Sequence, residues 1–464
     1  MLAEGHRLSR SRFHIVGIGG MGMSAIARLL MARGDGVSGS DSGAWPLAQA
    51  LAADGATVAT KFDPKNVLGA DILVRSSAYG DANPEVAAAR AAGIPVWKRD
   101  DAWRELARGK RVVAVAGTHG KSTTTALTWT ALRAGGLDPS LICGAVLRDL
   151  GTNAYAGRGD VLVIEADEYD RAFLALEPEL ALVLNIEHDH IDVFPTLDDV
   201  KQAFARFASR IVRGGWLVAC ADDPAAAELA RRGDDLAGRQ IATYGMAPNV
   251  TYRMVEFAQG PQGVSFDLTG PSNLAVPVSL RLPGAHNARN AAGALVAADA
   301  LGVPATAGAK SFASFTGTER RLEELGVARG ITVVDDYAHH PTEIRASIDA
   351  VRVRTTGRVI VLFQPHTPSR LRAFFDDFVA ALGTADDRVV AETFSSARER
   401  ADTRAGAKAL ASRAGAAYVA DAEAAARALA DRARPGDLVL VLGAGDIRPA
   451  GIRLLELLRE QAAV

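Results

Sequence analysis

Residues 111–125 read RVVAVAGTHGKSTTT, an apolar run followed by a glycine-bracketed turn, a lysine and four consecutive hydroxyl residues. The apolar run predicts a buried strand, and the hydroxyl residues begin a helix whose positive end faces the turn. Gly117 and Gly120 allow a tight turn with inward N–H groups, and Lys121 adds a mobile cation. The stretch therefore predicts a phosphate-binding loop, for which ATP is the expected ligand.

The loop departs from the strict P-loop pattern, which places four residues between its glycines. Here only Thr118 and His119 lie between them. An ordinary glycine-rich strand-to-helix turn would also explain the glycines, but not the coincidence of strand, Lys121 and hydroxyls. We expect Ser122 or Thr123 to supply an oxygen ligand to Mg²⁺.

The length and the alternation of elements predict the architecture. A chain of 464 residues is too long for one hydrophobic core and suggests three domains. Short apolar runs alternate with helical patterns, which is typical of α/β domains with parallel sheets. Polar segments near residues 108 and 317 are interpreted as hinges, giving predicted domains at 1–108, 109–317 and 318–464.

Charge and composition limit the classes of partner. The net charge is −2 and no block of like charge occurs, so we expect neither nucleic acid nor a membrane surface as partner. The two cysteines, Cys143 and Cys220, lack metal-binding spacing and fit a reducing cytoplasm. We expect a cytoplasmic protein without a membrane span, and either a monomer or a homodimer.

A second glycine-rich turn, GIGGMG, follows the predicted first strand, Phe13–Ile18. Its glycines would let a pyrophosphate approach the N-terminus of the next helix. Asp41, after the next strand, could bind a ribose or a base. NAD, FAD, a UDP-sugar and a packing turn without phosphate all fit this pattern. The candidate binding residues are Gly17, Gly19, Gly20, Gly22 and Asp41.

Acidic and histidine residues follow two strands predicted beyond the phosphate loop. EADEYD begins at Glu165, where a carboxylate at a strand end could hold Mg²⁺ and a solvated acidic turn is the alternative. NIEHDHID contains His190. This segment could form a second metal site or a substrate-orienting site, and the alternative is that its histidines are structural.

Three further loops carry polar side chains that could serve a site. PGAHNARN, residues 283–290, could read a base edge through its amides, or Asn287 could instead cap a helix. DDYAHHPTE and QPHTPSR, at residues 335–343 and 364–370, follow predicted strands of the third segment. The alanine-rich stretch 422–430 predicts an exposed helix.

Together these motifs resemble those of the Mur ligases, in the same order and over nearly the whole chain. The eight matching motifs are GTHGKSTTT, EADEYD, NIEHDHID, GAHNARNAA, RRLE, DDYAHHPTEI, FQPH and GAGDI. The resemblance implies two Rossmann-like domains flanking a central P-loop-type ATPase domain. GIGGMG would then hold the pyrophosphate of a UDP-sugar.

The resemblance also implies roles for individual residues. Lys121, Glu165 and His190 would be catalytic, with Ser122 and Glu165 holding one Mg²⁺ and Glu165 with His190 a second. The ATP-binding residues would be Gly117, Thr118, His119, Gly120, Lys121, Ser122, Thr123, His286, Asn287, Asn290 and Arg320. Asp336, Tyr337, His339, His340 and Arg370 would reach from the closing domain towards the nucleotide and the substrate.

The implied reaction is ATP-driven amide formation between L-alanine and the lactyl carboxylate of UDP-N-acetylmuramate through an acyl phosphate, a step of peptidoglycan precursor synthesis. EADEYD and RRLE are closer to the related ligase that attaches a recycled tripeptide, which is the first alternative. Ser122 stands where the family usually has Thr, and Thr367 where it has Arg. An NAD-dependent oxidoreductase and a non-catalytic nucleotide switch are remote alternatives, since they leave Lys121 or the third domain without a role.

Overall fold

A computed structural model describes residues 10–232, 236–395 and 406–462 of the chain. Its strands form three sheets of five, ten and six strands, each flanked by helices. The predicted α/β class with three mainly parallel sheets is confirmed. The described part of the chain contains no helix with the length and apolar character needed to cross a bilayer.

The first sheet is entirely parallel, in the order β3-β2-β1-β4-β5. Its central strand ends at Val16 instead of the predicted Ile18, because Gly17 turns the chain with φ 80°. GIGGMG therefore lies at the carboxyl end of β1, where the strand order reverses and ligands bind in open α/β sheets. The elements are β1 Arg12–Val16, α1 Met21–Arg33, β2 Gly36–Ser40, α2 Pro46–Ala53, β3 Thr57–Ala59, β4 Ile72–Arg75, α3 Pro84–Ala91, β5 Val96–Lys98 and α4 Arg99–Ala107.

The central sheet runs β15-β14-β13-β12-β11-β10-β6-β9-β7-β8. The strand before the phosphate loop, β6, pairs in parallel with β9 and β10, so the three strands end at one edge. The elements are β6 Arg111–Ala116, α5 Lys121–Ala134, β7 Ser140–Leu147, β8 Thr152–Tyr155, β9 Val161–Glu165, β10 Leu180–Val183, α6 Leu197–Ser209, β11 Trp216–Cys220, α7 Pro224–Ala230, β12 Gln240–Gly245, β13 Tyr252–Gly260, β14 Gly263–Gly270, β15 Leu274–Leu280, α8 Ala285–Ala300 and α9 Ala305–Phe312.

The third sheet runs β16-β17-β21-β18-β19-β20, with only β16 antiparallel to its neighbour. The elements are β16 Glu323–Ala328, β17 Ile331–Asp336, α10 Pro341–Arg352, β18 Val359–Phe363, α11 Pro368–Ala373, α12 Phe375–Leu382, β19 Asp387–Ala391, α13 Ala407–Ala414, β20 Ala417–Val419, α14 Ala422–Arg432, β21 Leu438–Leu442 and α15 Arg448–Ala462. The expectation of an exposed helix at 422–430 is wrong. Ala425, Ala426 and Leu429 of α14 are fully buried, because they form the face that packs against β19, β20 and α15.

The chain segments that connect one sheet to the next lie near the hinges expected from the sequence. We propose domain boundaries at residues 108/109 and 317/318, between α4 and β6 and between α9 and β16. Residues 1–9 and 463–464, at the ends of the proposed outer domains, lie outside the described residues.

Candidate active site

The phosphate loop joins β6 to α5, and its backbone is fixed by Asn185 at the end of β10. The Asn185 side chain accepts from His119 N at 2.7 Å and donates to His119 O at 3.0 Å. Gly120 has φ 83°, and a Cβ there would lie 2.7 Å from Asn290 Oδ1. This position therefore requires glycine for both its conformation and its packing.

The loop lysine lies across the turn and pairs with an acidic side chain. Lys121 Nζ donates to Gly117 O at 2.5 Å, to Thr118 O at 3.1 Å and to Glu168 Oε2 at 2.8 Å. Burial lowers the pKa of Lys121, but the carboxylates of Glu168, Asp167 and Glu165 together outweigh it and the net shift is upward. The site therefore holds a charged ammonium group where the sequence predicts the β/γ-phosphates.

Ser122 and Glu165 form a pair of oxygen donors beside the loop. Ser122 Oγ donates to Glu165 Oε1 at 3.1 Å, and Gly144 N donates to the other carboxylate oxygen at 2.6 Å. Mg²⁺ binds oxygen at about 2.0–2.1 Å in an octahedron, so adjacent ligands lie about 2.9 Å apart. The pair fits one edge of such a site. Behind it, Cys143 is buried, with its Sγ 3.8 Å from Glu165 Oε2.

His190 lies close to the other carboxylates of the EADEYD segment. Its Nε2 is 3.6 Å from Glu168 Oε1, and ligand atoms of Asp167, Glu168 and His190 lie within 4.8 Å of one another. Glu165, the partner expected from the sequence, is outside this group. His190 also has φ 52°, an uncommon backbone conformation for a residue with a Cβ.

A cavity of about 290 Å³ opens beside the phosphate loop, between the central and third sheets. His286, Asn287 and Asn290, the residues expected near the adenine and ribose, all line it together with Thr123. Asn287 does not cap α8, as the alternative had it, because Gly284 is the N-cap and Asn287 donates to Pro283 O at 2.7 Å. Other lining residues are Leu184, Cys220, Asp222, Tyr244, Arg289, Arg321, Leu322 and Asp336.

Of the two neighbouring arginines of the RRLE motif, Arg321 lines the cavity and Arg320 does not. Arg320, expected at ATP, is not among the described residues that line the cavity. Its φ is 57°, and its Nη2 donates to Gly443 O at 2.6 Å within the third domain. Arg321 lines the cavity instead. Both guanidinium groups lie over the Tyr337 ring, about 5 Å from its centroid.

The third domain contacts the loop after β10 of the central domain through Arg370 and His340, and His339 precedes His340 in the chain. Arg370 Nη2 lies 2.8 Å from Asp189 Oδ1, and both side chains are buried. Burial lowers the pKa of His339 to about 3 and that of His340 to about 4, so both imidazoles are neutral at pH 7. Thr367, where the family usually has Arg, has φ 68° and is the N-cap residue of α11.

His119, in the phosphate loop, lies between two carboxylates. Its Nδ1 is 3.2 Å from Glu343 Oε1 of the third domain, and its Nε2 is 3.6 Å from Glu187 Oε2. Burial lowers the pKa of His119, but Glu343 and Glu187 outweigh it and raise the pKa to about 10. Glu343 was missed as a site residue, although its position three residues after His340 forms a capping box.

The GIGGMG turn is organised by strand β2 and by Asp41. Ser40 O accepts from the N–H groups of Gly17 and Ile18, and Asp41 Oδ2 accepts from Gly19 N at 2.9 Å. Gly20 is the N-cap residue of α1, and Gly22 lies in its first turn. The central domain contacts this helix, since Asn153 Nδ2 donates to Met21 O at 2.6 Å.

This geometry, with a glycine-bracketed loop, oxygen donors and a third domain in contact with the central one, agrees with the comparison of the sequence with known families. Residues 12–111 match the Mur ligase family catalytic domain, 115–298 the Mur ligase middle domain, and 320–445 the Mur ligase glutamate ligase domain. The chain belongs to the Mur ligase family. The oxidoreductase and switch alternatives therefore lose their basis.

Individual Mur ligases resemble the chain over most of its length. A protein of Nocardioides sp. (strain JS614), named UDP-N-acetylmuramate–L-alanine ligase, is 45% identical and the match covers 96% of both chains. One from Arthrobacter sp. (strain FB24), with the same name, is 45% identical over 83% of this chain and 82% of its own. The crystal structure of UDP-N-acetylmuramate-alanine ligase MurC from Thermotoga maritima matches with a TM-score of 0.82 and 26% identity, covering 98% of this chain and all of that one.

Proposed function

We propose that this Mur ligase uses ATP to join L-alanine to the lactyl carboxylate of UDP-N-acetylmuramate, forming ADP and phosphate. Relatives that are 45% identical carry this activity in their names. The structural observation that carries the proposal is a chain of contacts between the third domain and the phosphate loop. Arg370 of the third domain binds Asp189. The next residue, His190, lies beside Glu168, and Glu168 pairs with Lys121 of the phosphate loop.

The first step makes the carboxylate a better acyl donor. A lactyl carboxylate oxygen attacks the γ-phosphorus of ATP, the bond to the β-phosphate oxygen breaks, and an acyl phosphate and ADP result. Lys121 would bind the phosphate oxygens and offset the repulsion between the two anions. Lys121 Nζ donates to Glu168 Oε2, so an arriving phosphate would compete with this carboxylate for the ammonium group.

The second step forms the amide. The uncharged amine of L-alanine attacks the acyl carbon, a tetrahedral intermediate forms, and phosphate leaves. The third domain closes over this site and would exclude water, which otherwise hydrolyses the acyl phosphate. Arg370, the one cation of the QPHTPSR loop, would hold the third domain in place for this step through its pair with Asp189, since Thr367 supplies no second cation.

We propose ATP and Mg²⁺ as cofactors, with Ser122 and Glu165 holding one ion and His190 contributing to a second. The ion would supply charge neutralisation of the phosphate oxygens. The GIGGMG turn with Asp41 would bind the UDP moiety, whereas His286, Asn287, Asn290 and Arg321 would surround the nucleoside of ATP. We further propose a cytoplasmic enzyme, a monomer or a homodimer, without a nucleic-acid or membrane partner.

The test is phosphate release with ATP, Mg²⁺ and UDP-N-acetylmuramate, comparing L-alanine with the tripeptide L-Ala-γ-D-Glu-meso-diaminopimelate. Release that depends on L-alanine is the expected result. Release with the tripeptide alone would replace alanine addition by peptide recycling. The absence of release with either acceptor would overturn the proposed substrate class.

A further inference from the structure

A second group of metal-binding side chains lies between the phosphate loop and the third domain. One ring nitrogen each of His119 and His340 and one oxygen of Glu187 lie within 4.8 Å of one another. We propose that these three residues form a Zn²⁺ site that joins the third domain to the phosphate loop. This group shares no residue with the proposed Mg²⁺ donors, Ser122 and Glu165.

The distances are close to those that a tetrahedral ion needs. Glu187 Oε2 lies 3.6 Å from His119 Nε2 and 3.9 Å from His340 Nδ1. Zn²⁺ binds imidazole nitrogen and carboxylate oxygen at about 2.0–2.2 Å, which places neighbouring ligand atoms about 3.4 Å apart. The ligand nitrogens of His119 and His340 lie within 4.8 Å of each other, so a shift of about 1.4 Å or less would bring all three ligand atoms to this spacing. Two imidazoles and one carboxylate suit Zn²⁺, whereas Mg²⁺ prefers oxygen ligands alone.

The two histidines have unused bonding capacity in this buried region. His119 Nε2, the proposed ligand atom of this residue, is buried without a hydrogen-bond partner, and His340 is only 5% exposed. The proposed ligand atom of His340, Nδ1, accepts just one long bond, 3.4 Å, from Thr342 N. Buried polar atoms without partners cost free energy, so an ion that used this capacity would stabilise the arrangement.

The surroundings already orient the proposed ligands. His119 Nδ1 faces Glu343 Oε1 at 3.2 Å, which points its other nitrogen towards Glu187. Thr342 Oγ1 donates to Glu187 Oε2 at 2.7 Å. Carboxylates and hydroxyls in these outer positions fix the tautomer and the direction of metal ligands. Zn²⁺ would displace the Nε2 proton of His119 to solvent.

The position of the site suggests what the ion does. His119 and Glu187 belong to the central domain and His340 to the third, so bound Zn²⁺ would hold the two domains closed. A ligase that must open to take up ATP and release ADP would then turn over more slowly. This inhibitory consequence rests on the proposed ligase function, whereas Zn²⁺ binding itself does not.

The binding test is calorimetric titration of the metal-free, full-length protein with ZnCl₂, without nucleotide or substrate. We expect one tight equivalent for the wild type and at least tenfold weaker binding for Glu187→Gln and His340→Ala. His188→Ala is the control, because it removes a neighbouring histidine outside the group, and it should bind like the wild type. Equal affinity in all three variants, or no binding by the wild type, would overturn the proposal.

A further variant leaves every ligand in place. Thr342→Val removes only the hydroxyl that orients Glu187, and we expect it to weaken Zn²⁺ binding by about 10- to 100-fold. Unchanged affinity would contradict the orientation proposed for Glu187. Inhibition by Zn²⁺ is measured separately, relative to each variant's own rate with Mg²⁺. Binding without inhibition would leave the site in place and remove the locking role.

Discussion

Arg370 Nη2 of the third domain lies 2.8 Å from Asp189 Oδ1 of the central domain, and a second bond runs from Arg370 Nε to the same oxygen at 3.0 Å. The side chains are 9% and 7% exposed, so the pair is shielded from water. Burial raises the pKa of Asp189, but Arg370 and the neighbouring histidines together outweigh it and hold this pKa well below its ordinary value. The pair therefore joins the two domains as ions.

Asp189→Asn should destabilise the closed arrangement, because it leaves a buried guanidinium without its counter-ion. Breaking one partner of such a pair costs about 3–5 kcal/mol. We expect kcat/KM to fall at least about 100-fold and the radius of gyration in small-angle X-ray scattering to rise. Asp71→Asn, which breaks the exposed Arg12–Asp71 pair, is the control and should change neither quantity. A wild-type radius and wild-type activity in Asp189→Asn would show that closure does not depend on this pair.

Lys121→Ala should abolish ADP formation while leaving binding of UDP-N-acetylmuramate nearly unchanged. The ammonium group sits in the phosphate loop, and removing a preorganised charge of this kind costs at least about 100-fold in kcat. The GIGGMG turn belongs to a different sheet and keeps its structure. ADP release and calorimetric binding of the UDP-sugar measure the two effects, and near-normal turnover would remove the loop from the mechanism.

The Ser122 hydroxyl should set the Mg²⁺ requirement. Ser122→Ala removes an oxygen that lies 3.1 Å from Glu165 Oε1, so the Mg²⁺ concentration for half-maximal activity should rise about tenfold or more. Ser122→Thr keeps the hydroxyl and is the matched control, with an expected wild-type requirement. Mg²⁺ titrations of phosphate release decide the matter, and equal curves for all three proteins would exclude Ser122 as a ligand.

Gly120→Ala should disturb the phosphate loop more than Gly136→Ala disturbs the end of α5. Both glycines have φ near 85°, so alanine costs about 1–2 kcal/mol at either position. Only at Gly120 would the new Cβ meet a neighbour, Asn290 Oδ1 at 2.7 Å. Urea unfolding and ADP binding should therefore show a greater loss for Gly120→Ala. Equal losses of stability and of ADP affinity in the two variants would mean that the Asn290 side chain moves aside without cost.

Asp336 should give the stability of the third domain a defined pH dependence. Burial raises its pKa from 3.8 to about 6, although Arg321 lowers it. The folded protein thus holds this proton more tightly, and the resulting stability is fully present below about pH 4 and lost as the pH rises through about 6. The free energy of unfolding of the wild type relative to Asp336→Asn should fall by up to about 1.4 kcal/mol per pH unit in that window. Urea unfolding at pH 4 and pH 7 measures this difference, and the same difference between the two proteins at both pH values would contradict the raised pKa.

Local sequence was sufficient to place the phosphate loop and the strand ends around it. The apolar run before Gly117 and the hydroxyls after Lys121 each specify one element, and both form as predicted. Because neighbouring parallel strands end at one edge, Glu165 was also expected near the loop. Local composition failed for α14, where the alanine-rich sequence was interpreted as an exposed helix, since alanine fits buried and exposed helix faces equally well.

Contacts between domains could not be predicted from the sequence. Arg370 and Asp189 are 181 residues apart in the chain, and their meeting depends on how the third domain packs against the central one. Arg320 and Arg321 are chemically identical neighbours, and only the left-handed backbone at Arg320 sends that side chain to Gly443 and away from the cavity. Glu343 was not assigned to the site, although its side chain reaches His119 of another domain.

Cys220 lies in the cavity beside the phosphate loop, where its thiol has low reactivity. It lies in the cavity wall and is 3% exposed, and burial raises its pKa to about 11. At pH 7 only about one molecule in 10⁴ carries the thiolate, which is the reactive form of cysteine. An electrophilic inhibitor built on an adenine-like scaffold would therefore gain little from this thiol, and selectivity in the cavity would have to come from reversible contacts to its amide and guanidinium groups.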